Sequence, residues 1–533
     1  MRLGKLGMLA VGVMLAGFLA ACGGSGAPIT PPPPAGTFSN ASLTGQYAFS
    51  MSGVAATSGA YIAEIGSFAA DGQGHITAGL ADLLNLGDTI PASIVTFSNG
   101  TYQIQANGRG VITLAVNGGG ILQLSVTLNS NNAGFVVETD GNASTSGTLN
   151  LQTPLQFSAN AIKGNYVFDF SGISFASANP LPISLVGQFA ADGNGNVTGG
   201  TADVNDGGFA PTGAVSLATS TYQMDTSGNG TNFGRGTMTL DGRTYAFYIV
   251  NNTQIKLLEE DSLGGTEGEA FLQTGAIPTQ NSQFMGSFVY LTGGFLAAGN
   301  FGPIARLGRF TADGSGGIGT ISFDENINGH YRHIAQSSGI TAANYAIDTN
   351  HAGSGRGTFT FTNSSTGAVS YVFYLYTQNG VLRAVVEDTT AGIVDDGFLL
   401  VQAAGPFTVS SVAGNYNFNW SGVQLIAPSP FAEDFVGQFV QTNATSNNMT
   451  GAADYDELGL NSVGNGAILN AGLAGTLTVT SDGTQNNAFK IAIGPSSPFT
   501  INFTTYFADN GTMLMLCSDS TRTTAGVATR QTQ

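Results

Sequence analysis

The segment FAADGQGHITAG at residues 68–79 occurs in two further versions, FAADGNGNVTGG at residues 189–200 and FTADGSGGIGTI at residues 310–321. In each version a run of apolar residues enters an Asp-Gly turn, and a second strand-like run follows the turn. This pattern is typical of two antiparallel strands joined by a tight turn. The copies start about 120 residues apart, which is the size of a small domain rather than of a solenoid repeat.

Other signals recur in the same order around this turn. Every unit opens with a glycine, a polar residue and an aromatic residue, and it closes on a glutamine. The opening glycines are Gly45, Gly164, Gly286 and Gly414, and the closing glutamines are Gln152, Gln273, Gln402 and Gln531. About eight strand-like runs lie between these signals. We therefore predict an all-β protein of four tandem repeats at residues 41–155, 160–275, 281–403 and 408–533. The fourth is divergent, since it lacks the Asp-Gly turn and the Gly-Arg-Gly sequence of the others.

Eight consecutive antiparallel strands most simply form an up-and-down meander that closes into a small β-barrel, because closure removes both edge strands. A two-sheet β-sandwich fits the same periodicity and is the alternative. The aromatic residue near the start of each repeat resembles the tryptophan on the first strand of lipocalins and avidins. The matching residues are Tyr47, Tyr166, Phe288 and Tyr416. This distant resemblance implies an eight-stranded meander, with small-ligand binding inside the barrels as an alternative function.

The N-terminus has the pattern of an export signal. Arg2 and Lys5 precede an apolar run that ends in Leu-Ala-Ala-Cys at residues 19–22. We predict a signal peptide at residues 1–21, because the run is too short and wrongly flanked for a membrane-spanning helix. The Leu-Ala-Ala-Cys ending resembles the lipobox of bacterial lipoproteins, which implies a diacylglycerol anchor on Cys22. Gly23 stands where an acidic residue often marks inner-membrane retention, which favours the outer membrane or the cell surface.

Composition adds three expectations. Residues 22–40 are rich in glycine and include consecutive prolines at positions 31–34, so we predict a tether between the anchor and the repeats. The formal net charge is −18 with only 15 lysines and arginines, and such a chain repels phosphate backbones, so nucleic acid is excluded as a partner. Lipidation of Cys22 leaves Cys517 alone, which we predict to be a buried thiol.

Two sets of repeated polar residues are candidate sites. The turn aspartates Asp71, Asp192 and Asp313 supply one carboxylate each, whereas Ca²⁺ needs about six to eight oxygen ligands. We therefore predict that they cap their turns, and that the protein holds no metal ion and no cofactor. The arginines of the Gly-Arg-Gly sequences are Arg109, Arg235 and Arg356. They either bind an anionic ligand at each barrel mouth or pair with a carboxylate of their own repeat, and we favour pairing.

The remaining polar clusters do not form a recognisable catalytic set. His330 and His333 are predicted to lie in an exposed loop rather than to bind zinc, and the acidic groups at residues 259–261, 395–396 and 454–457 are predicted to be turn tips. The chain has only four histidines, none of them in the second or fourth repeat, which excludes a histidine-dependent site in every repeat. The sequence also contains no nucleophile elbow and no phosphate-binding loop.

These features predict a lipid-anchored protein of the cell envelope that acts as a non-catalytic binding, adhesion or structural module. Its partner would be an envelope component, a matrix polysaccharide or a protein. Small-ligand binding inside the barrels is the first alternative, and an extracellular hydrolase is the second. The repeat unit as a whole resembles the tandem repeats of uncharacterised exported bacterial lipoproteins, in which the aromatic start, the Asp-Gly turn, the Gly-Arg-Gly sequence and the final glutamine recur.

Overall fold

The computed structural model describes residues 37–532, except for residues 89–91, 154–156, 178, 210–212, 227–229, 298–300, 336–339, 364–366, 426–429, 444–445, 458–466 and 493–498. The predicted signal peptide, Cys22 and most of the predicted tether lie outside the described residues. Short helices are present at Asn40–Ser42, Ala159–Ala161, Asn281–Gln283 and, as α1, at Gly230–Phe233.

The rest of the described fold is β-strand. The first repeat forms β1 (Thr44–Ala55), β2 (Tyr61–Asp71), β3 (His75–Asn85), β4 (Ala92–Ile104), β5 (Arg109–Val116), β6 (Ile121–Ser130), β7 (Ala133–Glu138) and β8 (Ala143–Leu151). The second forms β9 (Lys163–Ser174), β10 (Leu181–Asp192), β11 (Asn196–Asp206), β12 (Val215–Leu217), β13 (Ser220–Met224), β14 (Arg235–Leu240), β15 (Arg243–Asn251), β16 (Gln254–Glu259) and β17 (Gly264–Leu272).

The third and fourth repeats follow the same order. The third forms β18 (Met285–Leu296), β19 (Gly302–Asp313), β20 (Ile318–Ile327), β21 (His330–Ala335), β22 (Ile340–Ile347), β23 (Arg356–Asn363), β24 (Gly367–Gln378), β25 (Val381–Asp388) and β26 (Ile393–Val401). The fourth forms β27 (Gly414–Gln424), β28 (Phe431–Asn443), β29 (Ser446–Glu457), β30 (Ile468–Leu477), β31 (Thr484–Ala492), β32 (Phe499–Phe507), β33 (Thr512–Cys517) and β34 (Arg522–Arg530).

Strand pairing confirms the predicted fold class. Each repeat is an antiparallel meander in which the first strand also pairs with the last, and the first and fourth repeats are fully closed barrels. In the second repeat the fourth strand is divided into β12 and β13, and β11 pairs with both. In the third repeat β21 pairs only with β20 and β22 only with β23, while a single bridge from Gly317 to Asn344 joins the two sides. The barrel is therefore the observed form, and the alternative sandwich is not.

Each barrel encloses its own hydrophobic core. A glycine on the second strand makes room for an aromatic ring on the first strand: a Cβ at Gly66 would lie 2.7 Å from Phe49 Cζ, and one at Gly187 would lie 2.6 Å from Phe168 Cζ. The third and fourth repeats have the same arrangement, with Gly308 against Tyr290 and Gly437 against Phe418. Aromatic residues therefore fill the barrel interiors, because the facing strand has no side chain at that position.

The short helix before each of the first three barrels is held by a tyrosine. Tyr102 Oη donates to the carbonyl oxygens of Asn40 and Leu43, at 3.1 and 2.8 Å. Tyr222 and Tyr345 make the corresponding bonds in the second and third repeats. This contact explains why a tyrosine recurs two residues before the end of the fourth strand.

The four barrels contact one another with the same ends together. The interrepeat connections lie at one end of each barrel, together with the Asp-Gly turns and Gly-Arg-Gly sequences of the first three repeats. We call the surface formed by these four ends the linker face. The connections between first and second strands lie at the opposite end and form the hairpin face. On the linker face Gln152 Nε2 donates to the carbonyl oxygen of Phe233, at 3.0 Å, and on the hairpin face Gly392 N donates to that of Gly208, at 2.7 Å. Like ends of neighbouring barrels therefore meet.

Candidate functional site

The turn aspartates accept hydrogen bonds from their own turns. Asp71 Oδ1 accepts from the backbone N–H groups of Gln73 and His75, at 2.7 and 3.0 Å, and Gly72 and Gly74 adopt positive φ angles. Asp192 and Asp313 make the same pair of bonds. The hydrogen bond from the His75 N–H contributes most to lowering the pKa of Asp71 to about 2. Within the described residues, no group of three or more His, Cys, Asp or Glu is arranged to hold a metal ion.

The arginines of the Gly-Arg-Gly sequences reach into a neighbouring repeat. Arg235 donates from Nε and Nη2 to the Asp82 carboxylate of the first repeat, at 2.8 and 2.6 Å, and Tyr248 Oη donates to the same group at 2.8 Å. The own-repeat Asp225 is a secondary partner, 3.0 Å from Arg235 Nη1. Arg356 likewise has an own-repeat partner, because its Nη1 lies 2.9 Å from Asp348 Oδ2. The favoured own-repeat pairing is thus present for these two arginines, but the second pairing, with another repeat, was not predicted. It arises because the arginine lies on the outer surface of its barrel, where an adjacent barrel packs.

The same contact recurs around the chain. Arg356 Nε and Nη2 donate to Asp203 of the second repeat, each at 2.8 Å. Arg109 of the first repeat bonds to Asp454 of the fourth, and its Nη1 donates to Asn470 Oδ1 at 2.8 Å. The first and last repeats are thus joined directly. The acceptors Asp82, Asp203 and Asp454 occupy corresponding places on the third strand of their repeats.

The contact between the third and fourth repeats uses other groups. Asp324 occupies the acceptor position, but Thr484 stands where the fourth repeat would have its arginine. Tyr331 Oη donates to Asp324 Oδ1 at 2.6 Å, His333 Nδ1 lies 2.7 Å from the same oxygen, and Tyr506 Oη donates to the other oxygen. The hydrogen bond to Asp324 raises the pKa of His333. His333 lies within β21 and not in an exposed loop, which corrects the expectation for the histidine pair.

The closing glutamines connect each barrel to the next. Gln152 Nε2 donates to the Phe233 and Ile249 carbonyl oxygens of the second repeat, at 3.0 and 2.7 Å. Gln273 and Gln402 reach into the third and fourth repeats in the same way. Gln531 completes the set, because its Nε2 donates to Asn107 and Leu128 of the first repeat, at 2.9 and 2.7 Å. The four barrels therefore form a closed ring rather than an open string.

The acidic groups predicted to be turn tips are mostly buried. Arg243 Nη1 lies 2.5 Å from Glu259 Oε1 inside the second barrel, and Arg306 bonds to Asp388 inside the third. Burial contributes most to raising the pKa of Glu259 and of Asp395, each to about 7. The prediction failed because these carboxylates lie near strand ends and face either the barrel interior, as Glu259 and Asp395 do, or a neighbouring barrel, as Asp454 does. A sequence cannot distinguish these positions from an exposed turn.

The first barrel differs from the others in this region. Glu64 and Glu138 are buried near its hairpin end, and Thr145 Oγ1 donates to Glu138 at 2.9 Å. Burial raises the pKa of Glu64 to about 8, and the nearby Asp140 carboxylate adds to the shift. Arg109 is the only basic residue between residues 41 and 155, apart from His75, and it faces the fourth repeat. The pair therefore has no arginine of its own barrel beside it.

Polar side chains are also buried between the barrels. Asp169 of the second repeat faces Asp396 of the third. Burial and then repulsion by Asp396 raise the pKa of Asp169 well above its usual range, and burial and then repulsion by Asp395 do the same for Asp396. Lys256 of the second repeat donates to Thr148 Oγ1 of the first at 2.6 Å. Asp434 of the fourth repeat accepts from Ser144 and Ser146 of the first, at 2.7 and 2.6 Å. The contacts between barrels thus combine apolar packing with buried hydrogen bonds.

Two further features bear on possible sites. Cys517 is buried, and burial raises the pKa of its thiol well above the usual range. A groove of about 460 Å³ lies at the linker face of the first repeat and is lined by Asn40, Gln73, Tyr102 and Val111 among others. This groove is on the outer side of the barrel wall, because Val111 and Thr113 alternate with the core residues Ile112 and Leu114.

Sequence reasoning missed the acceptor aspartates and the role of the closing glutamines. A signal was present in both cases. Asp82, Asp203 and Asp324 each follow the turn aspartate of their repeat at the same distance, and a glutamine closes every repeat. Repetition of a polar residue at a fixed position could have indicated a contact between repeats, although it could not have named the partner.

Within the described residues, no helix has the length and apolar character needed to cross a membrane.

No protein-family model matches the chain, and no curated protein matches it. Among solved structures, a point mutant of the vaccine antigen Transferrin Binding Protein B from Haemophilus parasuis Hp5 is similar at 12% identity. The match covers 77% of this chain and 86% of that chain, with a TM-score of 0.21. Isotype 1 Transferrin binding protein B from serogroup B Neisseria meningitidis is similar at 8% identity over 75% and 83%, with a TM-score of 0.22. Likenesses this weak transfer no property, so the chain's own architecture defines its class, a ring of four tandem β-barrels.

Proposed function

We propose that the protein is a non-catalytic binding module of the cell envelope, anchored through lipid on Cys22. The observation that carries this proposal is the packing of the barrel interiors, where aromatic rings lie against one another. The ring centroids of Phe418 and Trp420 are 4.0 Å apart, and those of Phe359 and Tyr371 are 4.8 Å apart. Interiors filled in this way leave the outer faces of the ring as the surfaces for a partner.

The two alternative functions receive less support. Small-ligand binding inside the barrels needs an open cavity, whereas the core clusters occupy each interior. A glycoside hydrolase needs two carboxyl groups facing a cleft. The neighbouring acids of this chain are buried instead, Glu259 between Arg243 and Thr266, and Asp169 with Asp396 between two barrels.

A capture experiment tests the binding function. The mature chain carrying Cys22→Ser would be immobilised through its N-terminus and exposed to envelope extract, to matrix polysaccharide and to secreted protein. Beads carrying only the tether peptide of residues 22–40 are the matched control. We expect a ligand that binds the ring and not the tether at physiological salt. Capture of nothing by the ring across a range of salt concentrations would contradict the proposal.

Membrane attachment is tested separately. We expect labelled palmitate to be incorporated into the wild-type chain, and the chain to fractionate with the outer membrane. Cys22→Ser should abolish incorporation, because the thiol that receives the diacylglycerol is lost. The variant Cys517→Ser is the matched control and should retain the label. Labelling of the Cys22→Ser chain would refute the predicted anchor.

A further inference from the structure

Exposed apolar side chains are concentrated on the hairpin face. Within the described residues, the large hydrophobic residues with exposed side chains on this face are Ile94, Ile121, Phe175, Phe209, Val215, Leu263, Phe301 and Leu469. On the linker face, Met285 is the corresponding residue. Single exposed apolar residues are normal, but a bias toward one face indicates an interaction surface.

The most exposed of these residues lie where the second and third barrels meet. Gly392 N donates to the Gly208 carbonyl oxygen at 2.7 Å, and Ala297 N donates to that of Gly392 at 2.8 Å, so three segments converge there. Phe209 directly follows Gly208 and is 75% exposed. Phe301 directly precedes Gly302, which pairs with Leu296 beside Ala297, and Phe301 is 63% exposed.

Two further residues extend this surface across the second barrel. The backbone N–H of Phe175 donates to the carbonyl oxygen of Leu263 at 2.8 Å, which brings the end of β9 beside the start of β17. Both side chains are exposed, Leu263 by 46%. We call the surface formed by Phe175, Phe209, Leu263 and Phe301 the apolar patch.

The charged groups around the apolar patch are mainly acidic. Asp206 ends β11 three residues before Phe209, and Asp261 lies two residues before Leu263. The nearby Arg243 is buried and is bound to Glu259, so it contributes no free positive charge at the surface. Apolar side chains are therefore bordered by carboxylates, within a chain of formal net charge −18.

We propose that the apolar patch is the docking site for a cationic amphipathic segment of a protein partner, with lysine or arginine beside aliphatic side chains. Charge complementarity selects this occupant. A second copy of the ring would bring carboxylates against carboxylates, and anionic lipid or nucleic acid would be repelled for the same reason. This proposal rests on the proposed binding function and names its surface and the chemistry of its partner.

The test uses the full mature chain carrying Cys22→Ser and a fluorescent amphipathic helical peptide of leucine and lysine, about 18 residues long. A peptide of the same pattern with glutamate in place of lysine is the charge control. We expect the lysine peptide to bind and the glutamate peptide not to bind in an anisotropy titration. Equal binding of the two peptides, or no binding of the lysine peptide, would overturn the proposal.

Variants locate the site. Phe209→Ser with Phe301→Ser should raise the Kd about tenfold or more, because exposed aromatic anchors dominate such contacts. Met285→Ser removes an equally exposed side chain from the linker face and should leave the Kd unchanged. Asp206→Asn keeps an oxygen that can accept from the Ser174 hydroxyl and should flatten the salt dependence of binding. A similar loss in the Met285→Ser chain, or no loss in the phenylalanine variant, would refute the site.

The same double phenylalanine variant separates this inference from the proposed function. If envelope capture persists in that variant, the patch is wrong although the ring still binds a partner. If the wild-type ring captures nothing, the function itself fails. Sedimentation of the wild-type chain should show a monomer, and a dimer that the double variant abolishes would assign the patch to a second copy and overturn the proposal.

Discussion

Closure of the ring depends on a contact between the first and last repeats, and the variant Arg109→Met tests it. The side chains of Arg109 and Asp454 are 3% and 5% exposed, so the substitution leaves a buried carboxylate without its cation. Removing one partner of a buried ion pair lowers the free energy of unfolding by about 3–5 kcal/mol. Asp454 keeps a hydrogen bond from the Asn470 N–H, which places our expectation near the lower value, about 3 kcal/mol.

Trp420 is the single tryptophan of the chain and lies in the core of the fourth barrel, so its fluorescence reports unfolding of that barrel. With a guanidinium m-value of about 3–4 kcal/mol/M, the expected decrease in the free energy of unfolding lowers the midpoint guanidinium concentration of unfolding by about 1 M. Arg109→Met with Asp454→Leu should recover most of it, since the uncompensated charge is removed. Lys163→Met changes an exposed cation and is the control. An unchanged midpoint in Arg109→Met would refute ring closure.

Three other predictions follow from the barrel interiors. The pKa of Glu64 is raised from its usual 4.5 to about 8, so its folded form holds a proton that the unfolded chain releases. Stability should therefore fall as pH rises from about 5 to about 8, and Glu64→Gln should weaken this dependence in thermal melts; an identical pH profile would contradict the assignment. Gly66→Ala should destabilise the chain by about 1–3 kcal/mol in denaturant titrations, since the new Cβ would meet Phe49, whereas Gly511→Ala, whose Cβ would make only ordinary contacts at 3.4 Å or more, controls for the added methyl. Cys517 should react with a thiol reagent only after unfolding, and fast labelling of the native chain would refute its burial.

The barrel was predictable because its determinants are local. Alternating apolar residues, turn glycines and turn aspartates act within about a dozen residues of one another, and their repetition identified the unit. The glycine two residues before the phenylalanine of the repeated turn segment, such as Gly66 before Phe68, belongs to the same local pattern. Its missing side chain leaves room for the ring of Phe49. The polar residues near the strand ends were predicted less well, because neighbouring residues of a strand point to opposite sides of the barrel wall. An error of one residue therefore places a side chain in the solvent instead of in the barrel interior.

The amino-acid sequence by itself therefore determined the strands, their order and the repeat, because these depend on side-chain periodicity and turn chemistry. Only the tertiary structure decided that Arg235 binds Asp82 of another repeat, that Gln531 joins the last barrel to the first, and that Asp395 is buried. These contacts form between outer barrel surfaces or across one interior. Their partners are set by how separate barrels pack in space, at sequence separations that no local pattern records.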